Sequence, residues 1–142
     1  MIAFLDSSAI VKLYLVDEAD ATDVHAAIAA SQSLAASRVS YVEVRAALAA
    51  ARRAARLTPF EHDRAVSSFD AAWPGYDVVE LSDGVSVRAG VFAETFGLRA
   101  GDAIQLASVL ELNIEGTLMV AWDARLRLAA RAAGVATHPI EV

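Results

Sequence analysis

The stretch at positions 2–8 restricts what this chain can fold into more than any other. Ile2–Leu5 is an unbroken apolar run that is too short for a helix and has no polar alternation, which predicts a strand buried on both faces of a sheet. Ser7 and Ser8 are favourable helix-start residues, and a helical apolar pattern begins at Ile10. Asp6 is therefore expected at the carboxyl end of a central parallel strand, where α/β sheets bind their ligands.

Length and composition limit the class of protein. The chain has 142 residues, which fits a single domain over 1–142, and with 56% hydrophobic and 21% charged residues it is typical of a globular protein. No apolar run approaches the ~20 residues of a membrane helix, and no basic leader precedes the first strand, so we expect a cytoplasmic protein. The lack of cysteine excludes disulfides, thiolate metal sites and a cysteine nucleophile.

The charge balance is acidic, with 18 acids against 12 bases and a net charge of −6. This balance argues against a general nucleic-acid binder, which is usually basic. It does not exclude a nuclease, because bound divalent cations bring substrate phosphates to an acidic pocket.

Short apolar runs alternate with longer helical patterns along the chain. This alternation predicts an α/β fold with a mainly parallel sheet of four or five strands and about seven helices. Strands are predicted at 2–5, 34–36, 78–79 and 118–121, with a short edge strand at 136–138. Helices are predicted after the first strand, within 17–31, over 41–56 and 59–73, between Ser82 and Gly97, from Asp102, and between Asp123 and Gly134.

Four acids share one predicted context. Asp6 and Asp123 each follow a buried strand and precede a helix, whereas Glu43 and Asp102 are expected in the first turn of a helix. In a parallel sheet, strand ends and the helix starts that follow them lie at the same edge, so these carboxylates are expected to converge on one cleft. An acid cluster without histidine or cysteine favours Mg²⁺ or Mn²⁺ over Zn²⁺.

Each of these acids also has a purely structural interpretation. An acid at a helix start is ordinarily a cap or a partner of the helix dipole. Ser40 and Glu43 have the spacing of a capping box, and Asp102 is suited to cap its own helix. Asp6 is the strongest candidate for a ligand, because Ser7 and Ser8 are available to cap the helix that follows it.

Taken together, four motifs resemble those of the PIN-domain ribonucleases, and specifically the VapC-type toxins of bacterial toxin–antitoxin pairs. The matching stretches are FLDSSA at 4–9, S-x-x-E-V at 40–44, L-x-x-x-D-A-I-Q-L-A at 98–107 and V-x-x-D-x-x-L at 120–126. They occur in the family's order and span nearly the whole chain. The sequence departs from the pattern at Ala121, where the family often has serine or threonine.

The resemblance implies a PIN-like three-layer α/β/α domain and a Mg²⁺-dependent endoribonuclease, with Mn²⁺ as a possible substitute. It implies Asp6 and Asp102 as the main metal ligands, with Glu43 completing the site directly or through water. Asp123 is expected to add a ligand or to orient a metal-bound water. A metal-activated water would attack the phosphodiester in line and leave 5′-phosphate and 3′-hydroxyl ends.

The resemblance also implies partners. The family binds a VapB-like antitoxin and forms homodimers, and the predicted helical hairpin over 41–56 and 59–73 corresponds to the region that receives the antitoxin.

The remaining polar and aromatic candidates are weaker. His25, His62 and His138 are scattered in the sequence and are expected to be structural or exposed. No histidine is placed to activate Ser7 or Ser8 as a nucleophile. Trp122 is a candidate for base stacking, and Arg99 and Arg125 are candidates for phosphate contacts, although core packing and exposed helix charge are the simpler interpretations.

Two other functional classes compete with the ribonuclease. One is a catalytically idle PIN-like module that binds other proteins, which would not require all four acids. The other is a metal-dependent phosphohydrolase for small substrates, or a receiver-like phosphoacceptor. Against the latter, Asp6 is not part of an Asp-x-Asp pair and Lys12 is the only lysine in the chain.

Overall fold

A parallel sheet with its first strand at the centre forms the middle layer of the fold. The computed structural model describes residues 1–15 and 20–140. The strands are β1 (Ile2–Leu5), β2 (Ser33–Ser37), β3 (Tyr76–Val79), β4 (Leu118–Val120) and β5 (Ala136–His138). They follow the order β3-β2-β1-β4-β5, and every pairing is parallel. The prediction of a mainly parallel sheet is confirmed.

Seven α-helices among the described residues connect and cover the strands. They are α1 (Ser7–Val11), α2 (Ala21–Ala29), α3 (Val39–Arg53), α4 (Pro59–Ala72), α5 (Asp83–Phe96), α6 (Ala100–Leu112) and α7 (Ala124–Ala132), with a 3₁₀ turn at Trp73–Gly75. The helix predicted within 17–31 is α2, and positions 17–19 of that prediction lie outside the described residues. None of the helices in the described part of the chain is both long and apolar enough to cross a bilayer.

The core lies in two halves, one on each face of the sheet. Alternating side chains of β1 supply both halves: Ala3 and Leu5 pack in the half lined by α1 to α4, and Phe4 packs in the half lined by α5 to α7. All three residues are fully buried, which confirms the prediction of a strand covered on both faces. This arrangement is the predicted three-layer α/β/α fold.

Helix caps fix several of the element boundaries. Thr58 and Glu61 form a capping box at the start of α4, and Ser82 accepts a hydrogen bond from the Val85 amide at the start of α5. Gly97 ends α5 at a φ of 63°, a left-handed conformation that glycine adopts without strain. The Gly97 turn brings the chain directly into the loop before α6, which carries Asp102.

Candidate active site

The strand order reverses beside β1, and two of the predicted acids lie at that point. Leu5 pairs with Val120, and the Asp6 amide donates a hydrogen bond of 3.1 Å to the Val120 carbonyl. Asp6 therefore leaves β1 next to the turn that carries Asp123 out of β4. This is the switch point at the carboxyl edge of the sheet where α/β folds bind ligands.

Asp6 itself caps α1. Its Oδ1 accepts hydrogen bonds from the Ala9 amide at 2.9 Å and from Ser8 Oγ at 2.7 Å. The expectation that Ser7 and Ser8 cap this helix is wrong, because the turn after β1 points the Asp6 carboxylate at the exposed amides and the two hydroxyls elsewhere. Capping and a ligand role are not alternatives here, since both use the same carboxylate.

Burial makes the Asp6 carboxylate unusually basic. Its side chain is 4% exposed, and removal from water raises the pKa of Asp6 to about 7. The hydrogen bonds from Ala9 and Ser8 oppose this shift, whereas the charges of Asp102 and Glu43 add to it. The carboxylate thus lies among like charges that a divalent cation would neutralise.

Glu43 reaches the same place from α3, on the opposite helical layer from Asp102. Because α3 begins at Val39, Glu43 lies in the second turn rather than the first, and the helix has no side-chain cap. The capping-box interpretation of Ser40 and Glu43 is therefore wrong. Glu43 Oε1 instead accepts hydrogen bonds from Ser7 Oγ at 2.8 Å and from Gln105 Nε2 at 3.1 Å.

Asp102 lies in the first turn of α6 but does not cap it. Arg99, the residue before the helix, contacts Asp102 Oδ2 at 3.4 Å through an exposed guanidinium. Partial burial raises the pKa of Asp102, the charges of Asp123 and Glu43 raise it further, and Arg99 lowers it. The electrostatic coupling therefore runs through all four predicted acids.

Asp123 caps α7, with Oδ1 accepting from the Leu126 amide at 2.9 Å. The turn before it is held by the buried Arg127, whose Nη1 donates to the carbonyls of Ala121 and Trp122. Ala121 is fully buried in the core half of α5 to α7. The position at which the family often has a hydroxyl is thus a packing position in this chain.

The four acids line one open cleft of about 350 Å³. Its walls are Asp6, Ser7, Ser8, Glu43, Arg99, Asp102, Gln105, Trp122 and Asp123. A neighbouring cavity of about 420 Å³ shares Arg99, Asp102 and Asp123 and adds Arg125. The convergence predicted from the sequence is present; of the two candidate arginines, Arg99 lines the cleft and Arg125 lines the neighbouring cavity.

Trp122 lies at the cleft, whereas the three histidines lie outside it. The indole of Trp122 lines the cleft, and Lys12 Nζ lies 5.0 Å from its ring centroid. His138 meets the same indole edge-on, and none of the three histidines lines the cleft. The expectation that they are structural or exposed fits this arrangement.

The donor set fits a hard divalent cation. All the acidic groups are oxygen donors, and the buried Asp6 carries a charge that burial opposes. Across residues 1–15 and 20–140, no three acid, histidine or cysteine side chains are already grouped tightly enough to hold an ion. Mg²⁺ suits such an open arrangement, because it keeps several waters and commonly takes only one or two protein carboxylates.

Sequence reasoning missed three residues that shape the site. Gln105 and Gly101 lie beside Glu43, and Arg127 holds the β4–α7 turn. Gln105 belongs to one of the motifs, but the only local sign of its role in the site is a polar side chain at a core position of α6. Gly101 and Arg127 gave no signal, since their contacts depend on the tertiary fold.

A parallel α/β sheet, with acids from two strand ends and two helices at one edge, defines the class of protein. The family model described as PIN domain matches residues 3–132, and the chain belongs to the PIN domain family.

Within that family the chain is similar to ribonucleases VapC45 and VapC49 of Mycobacterium tuberculosis. It is 37% identical to each over 141 residues, which cover 99% of this chain and 97% of the relative. This similarity confirms the resemblance to the VapC-type proteins.

Solved structures share the fold at lower identity. FitAcB from Neisseria gonorrhoeae superposes with a TM-score of 0.71 at 17% identity, covering 96% of both chains. VapC20 of Mycobacterium tuberculosis, described as a sarcin-ricin loop cleaving toxin, gives a TM-score of 0.68 at 17% identity over 94% of this chain and 95% of that one. A toxin–antitoxin complex from Klebsiella pneumoniae gives 0.68 at 19% identity over 99% of both.

Proposed function

We propose that this protein is a divalent-metal-dependent endoribonuclease that acts as the toxin of a toxin–antitoxin pair. The observation that carries the proposal is the cleft itself, in which the carboxylates of Glu43, Asp102 and Asp123 lie around the buried, basic Asp6. A structural acid is usually solvated or paired with a base, whereas the Asp6 carboxylate is buried and the charges of Asp102 and Glu43 raise its pKa further, so a bound cation would favour its ionised form. The ribonuclease relatives at 37% identity supply the substrate class.

Asp6 and Asp102 are the proposed direct ligands of Mg²⁺ or Mn²⁺. When bound, such an ion neutralises charge at a phosphodiester and makes a water more acidic. Asp6 offers a carboxylate fixed by its two hydrogen bonds, and Asp102 offers one held near Arg99. Glu43 completes the site directly or through water.

Asp123 has a different setting at the exposed rim of the cleft. One carboxylate oxygen is engaged by the Leu126 amide, which orients the whole group. We propose that Asp123 adds a ligand or accepts a hydrogen bond from the attacking water. Attack in line with the leaving oxygen would give 5′-phosphate and 3′-hydroxyl ends, as the family resemblance implies.

The proposal also covers partners and place of action. Several solved structures of this fold are toxin–antitoxin complexes, including VapBC-1 from Haemophilus influenzae. We propose that a VapB-like antitoxin restrains this chain by covering the cleft, and that the chain forms a homodimer. We also propose that the chain acts on RNA in the cytoplasm.

Cleavage of total cellular RNA by the purified, antitoxin-free protein tests the function. We expect discrete fragments in Mg²⁺ or Mn²⁺ that disappear with EDTA. Outer-shell changes at metal sites commonly cost ~10–100-fold, so Asp6→Asn and Asp102→Asn should lower the rate by at least ~100-fold. Mapping of the fragment ends then identifies the target.

Asp83→Asn is the matched control. Asp83 is an exposed acid in the first turn of α5, as Asp102 is in the first turn of α6, but it lies outside the cleft. This variant should cleave like the wild type. A folded wild-type protein that neither cleaves RNA nor binds Mg²⁺ in calorimetry would rule out the ribonuclease and favour an interaction module.

A further inference from the structure

The carboxylate of Glu43 is enclosed by side chains from two other helices. Ser7 on α1 donates to Oε1 at 2.8 Å, and Gln105 on α6 donates to the same oxygen at 3.1 Å. Gln105 is 2% exposed. It lies 62 positions from Glu43 in the sequence, so this hydrogen bond is a long-range contact. Glu43 is therefore fixed by tertiary contacts, beyond what its own helix provides.

The buried amide of Gln105 carries a cost in folding free energy that an apolar side chain beside Glu43 would not. Its Nε2 lies 2.9 Å from Ser40 Oγ and 3.0 Å from Ser7 Oγ, while its buried Oε1 has no hydrogen-bond partner within residues 1–15 and 20–140. A buried polar atom without a partner destabilises a fold, and an apolar side chain of similar length would avoid that cost. What the amide supplies that an apolar residue does not is the donor to Glu43 and the two hydroxyls.

Gly101 bounds Glu43 on another side. A Cβ at position 101 would lie 3.0 Å from Glu43 Oε2 and 3.8 Å from its Cδ. Gly101 is the second residue of α6, and glycine is generally less favourable in a helix than alanine, so this position gives up some helix propensity and leaves room for the carboxylate. Gly101 and Gln105 are one helical turn apart on the same helix, and Asp102 lies between them.

We propose that Gly101 and Gln105 are positioning residues that set where the Glu43 carboxylate lies relative to Asp102. Gln105 pulls Oε1 through its amide, together with Ser7, and Gly101 gives Oε2 its space. Because both belong to α6, the helix that carries Asp102 also locates Glu43, although Glu43 belongs to the opposite layer. This assignment rests on the proposed metal-dependent cleavage.

Gly101→Ala separates positioning from stability. The new methyl group should displace Oε2 by a few tenths of an ångström while improving the helix, so the melting temperature should hold or rise. We expect a ~10–100-fold lower kcat and weaker Mn²⁺ binding in calorimetry, the range seen when groups that orient metal ligands are changed. The KM for RNA should change little, since no RNA contact is removed.

Gly90→Ala is the control for helix propensity. Gly90 lies inside α5, and a Cβ there meets nothing within 4 Å. This variant should gain the same helix stabilisation and keep wild-type kcat and Mn²⁺ affinity.

Gln105→Met tests the donor, with Ser108→Ala as its control on the same helix. Methionine keeps the length of the side chain and removes the amide, so we expect about a 10-fold loss in kcat and a parallel loss in Mn²⁺ affinity. Ser108 is fully buried and its Oγ has no hydrogen-bond partner in the part of the chain that the structure describes, so its removal should leave both values unchanged. If Gln105→Met fails to fold, Gly101→Ala decides alone.

The outcomes distinguish the inference from the function on which it rests. Wild-type cleavage with losses only in Gly101→Ala and Gln105→Met supports the assignment. Wild-type cleavage with unchanged Gly101→Ala overturns it and leaves the ribonuclease intact. A wild type that neither binds Mn²⁺ nor cleaves RNA removes both proposals together.

Discussion

Asp6 combines a stabilising and a destabilising role in one carboxyl group. As the cap of α1 it accepts two hydrogen bonds, and caps of this kind contribute about 1 kcal/mol. As a buried charge near Asp102 and Glu43 it opposes folding whenever it is ionised without a cation. The cap needs only an oxygen acceptor, whereas metal binding needs the charge, so an amide at this position separates the two.

We therefore expect Asp6→Asn to stabilise the metal-free protein at high pH. The pKa of Asp6 is about 7 when folded against a reference value of 3.8, so between these pH values the folded state binds more protons than the unfolded state. The protonated Asp6 therefore contributes on the order of a few kcal/mol to the stability of the folded state. This contribution is fully present below pH ~4 and is lost as the pH rises to ~7. Asparagine keeps the Oδ1 acceptor and removes the penalty.

Urea denaturation in EDTA, followed by circular dichroism, measures this difference. The variant should match the wild type near pH 4 and exceed it at pH 8. A variant that is less stable than the wild type at pH 8 would mean that the ionised carboxylate contributes to the metal-free fold.

Among the elements, the start of α7 depends on Asp123. Replacement with alanine removes the acceptor for the Leu126 amide and should cost about 1 kcal/mol, whereas asparagine still accepts that bond and should cost only a few tenths. If the charge serves catalysis, both variants lose cleavage to a similar extent despite their different stabilities. Thermal melts paired with RNA cleavage assays at a temperature where both are folded test this. Wild-type activity in Asp123→Asn would reduce the residue to a cap.

Elements whose signals are local were predictable from the sequence. The four apolar residues of β1 exclude other structures, and the Thr58 and Gly97 boundaries rest on side chains that act within one turn. The predicted start of α3 was wrong because a local pattern suggested a cap that the tertiary structure does not use. Ser40 has the pattern of a cap, but the helix already begins at Val39, and the Ser40 hydroxyl is used by Gln105 from another layer.

The acids of the site were predictable because parallel topology brings strand ends and helix starts to one edge. The groups that hold them were not. Gln105 reads as a polar interruption in a core helix, and Gly101 as a weak point in the same helix. Their contacts with Glu43 form only when α6 and α3 meet at the end of the sheet. The local periodicity of the sequence does not encode such a tertiary contact.

At the scale of the whole molecule, the fold brings four acidic side chains together at one edge of the sheet. The two core halves hold the sheet from both faces, and the four acids face each other across the cleft at its carboxyl end. The chain also carries a net charge of −6, so the excess of charge over the whole protein has the same sign as the site. Folding and cation binding are therefore expected to be linked, since an ion that binds only the folded state stabilises it.

The stabilisation by Mn²⁺ should accordingly grow with pH. At pH 5, below the pKa of about 7, Asp6 is largely protonated, and the raised pKa of Asp102 also favours its protonated form, so protons compete with the ion for the same oxygens. At pH 8 Asp6 is largely ionised, the metal-free protein has lost the stability that the protonated form of Asp6 contributes, and the ion binds with little displacement of that proton. At a Mn²⁺ concentration 100 times its dissociation constant the gain in stability is about 2.7 kcal/mol.

Thermal melts with Mn²⁺ or EDTA at pH 5 and pH 8 measure this gain, with Asp6→Asn as the control that should show little shift at either pH. An equal shift at both pH values would place the ion at groups other than these two acids.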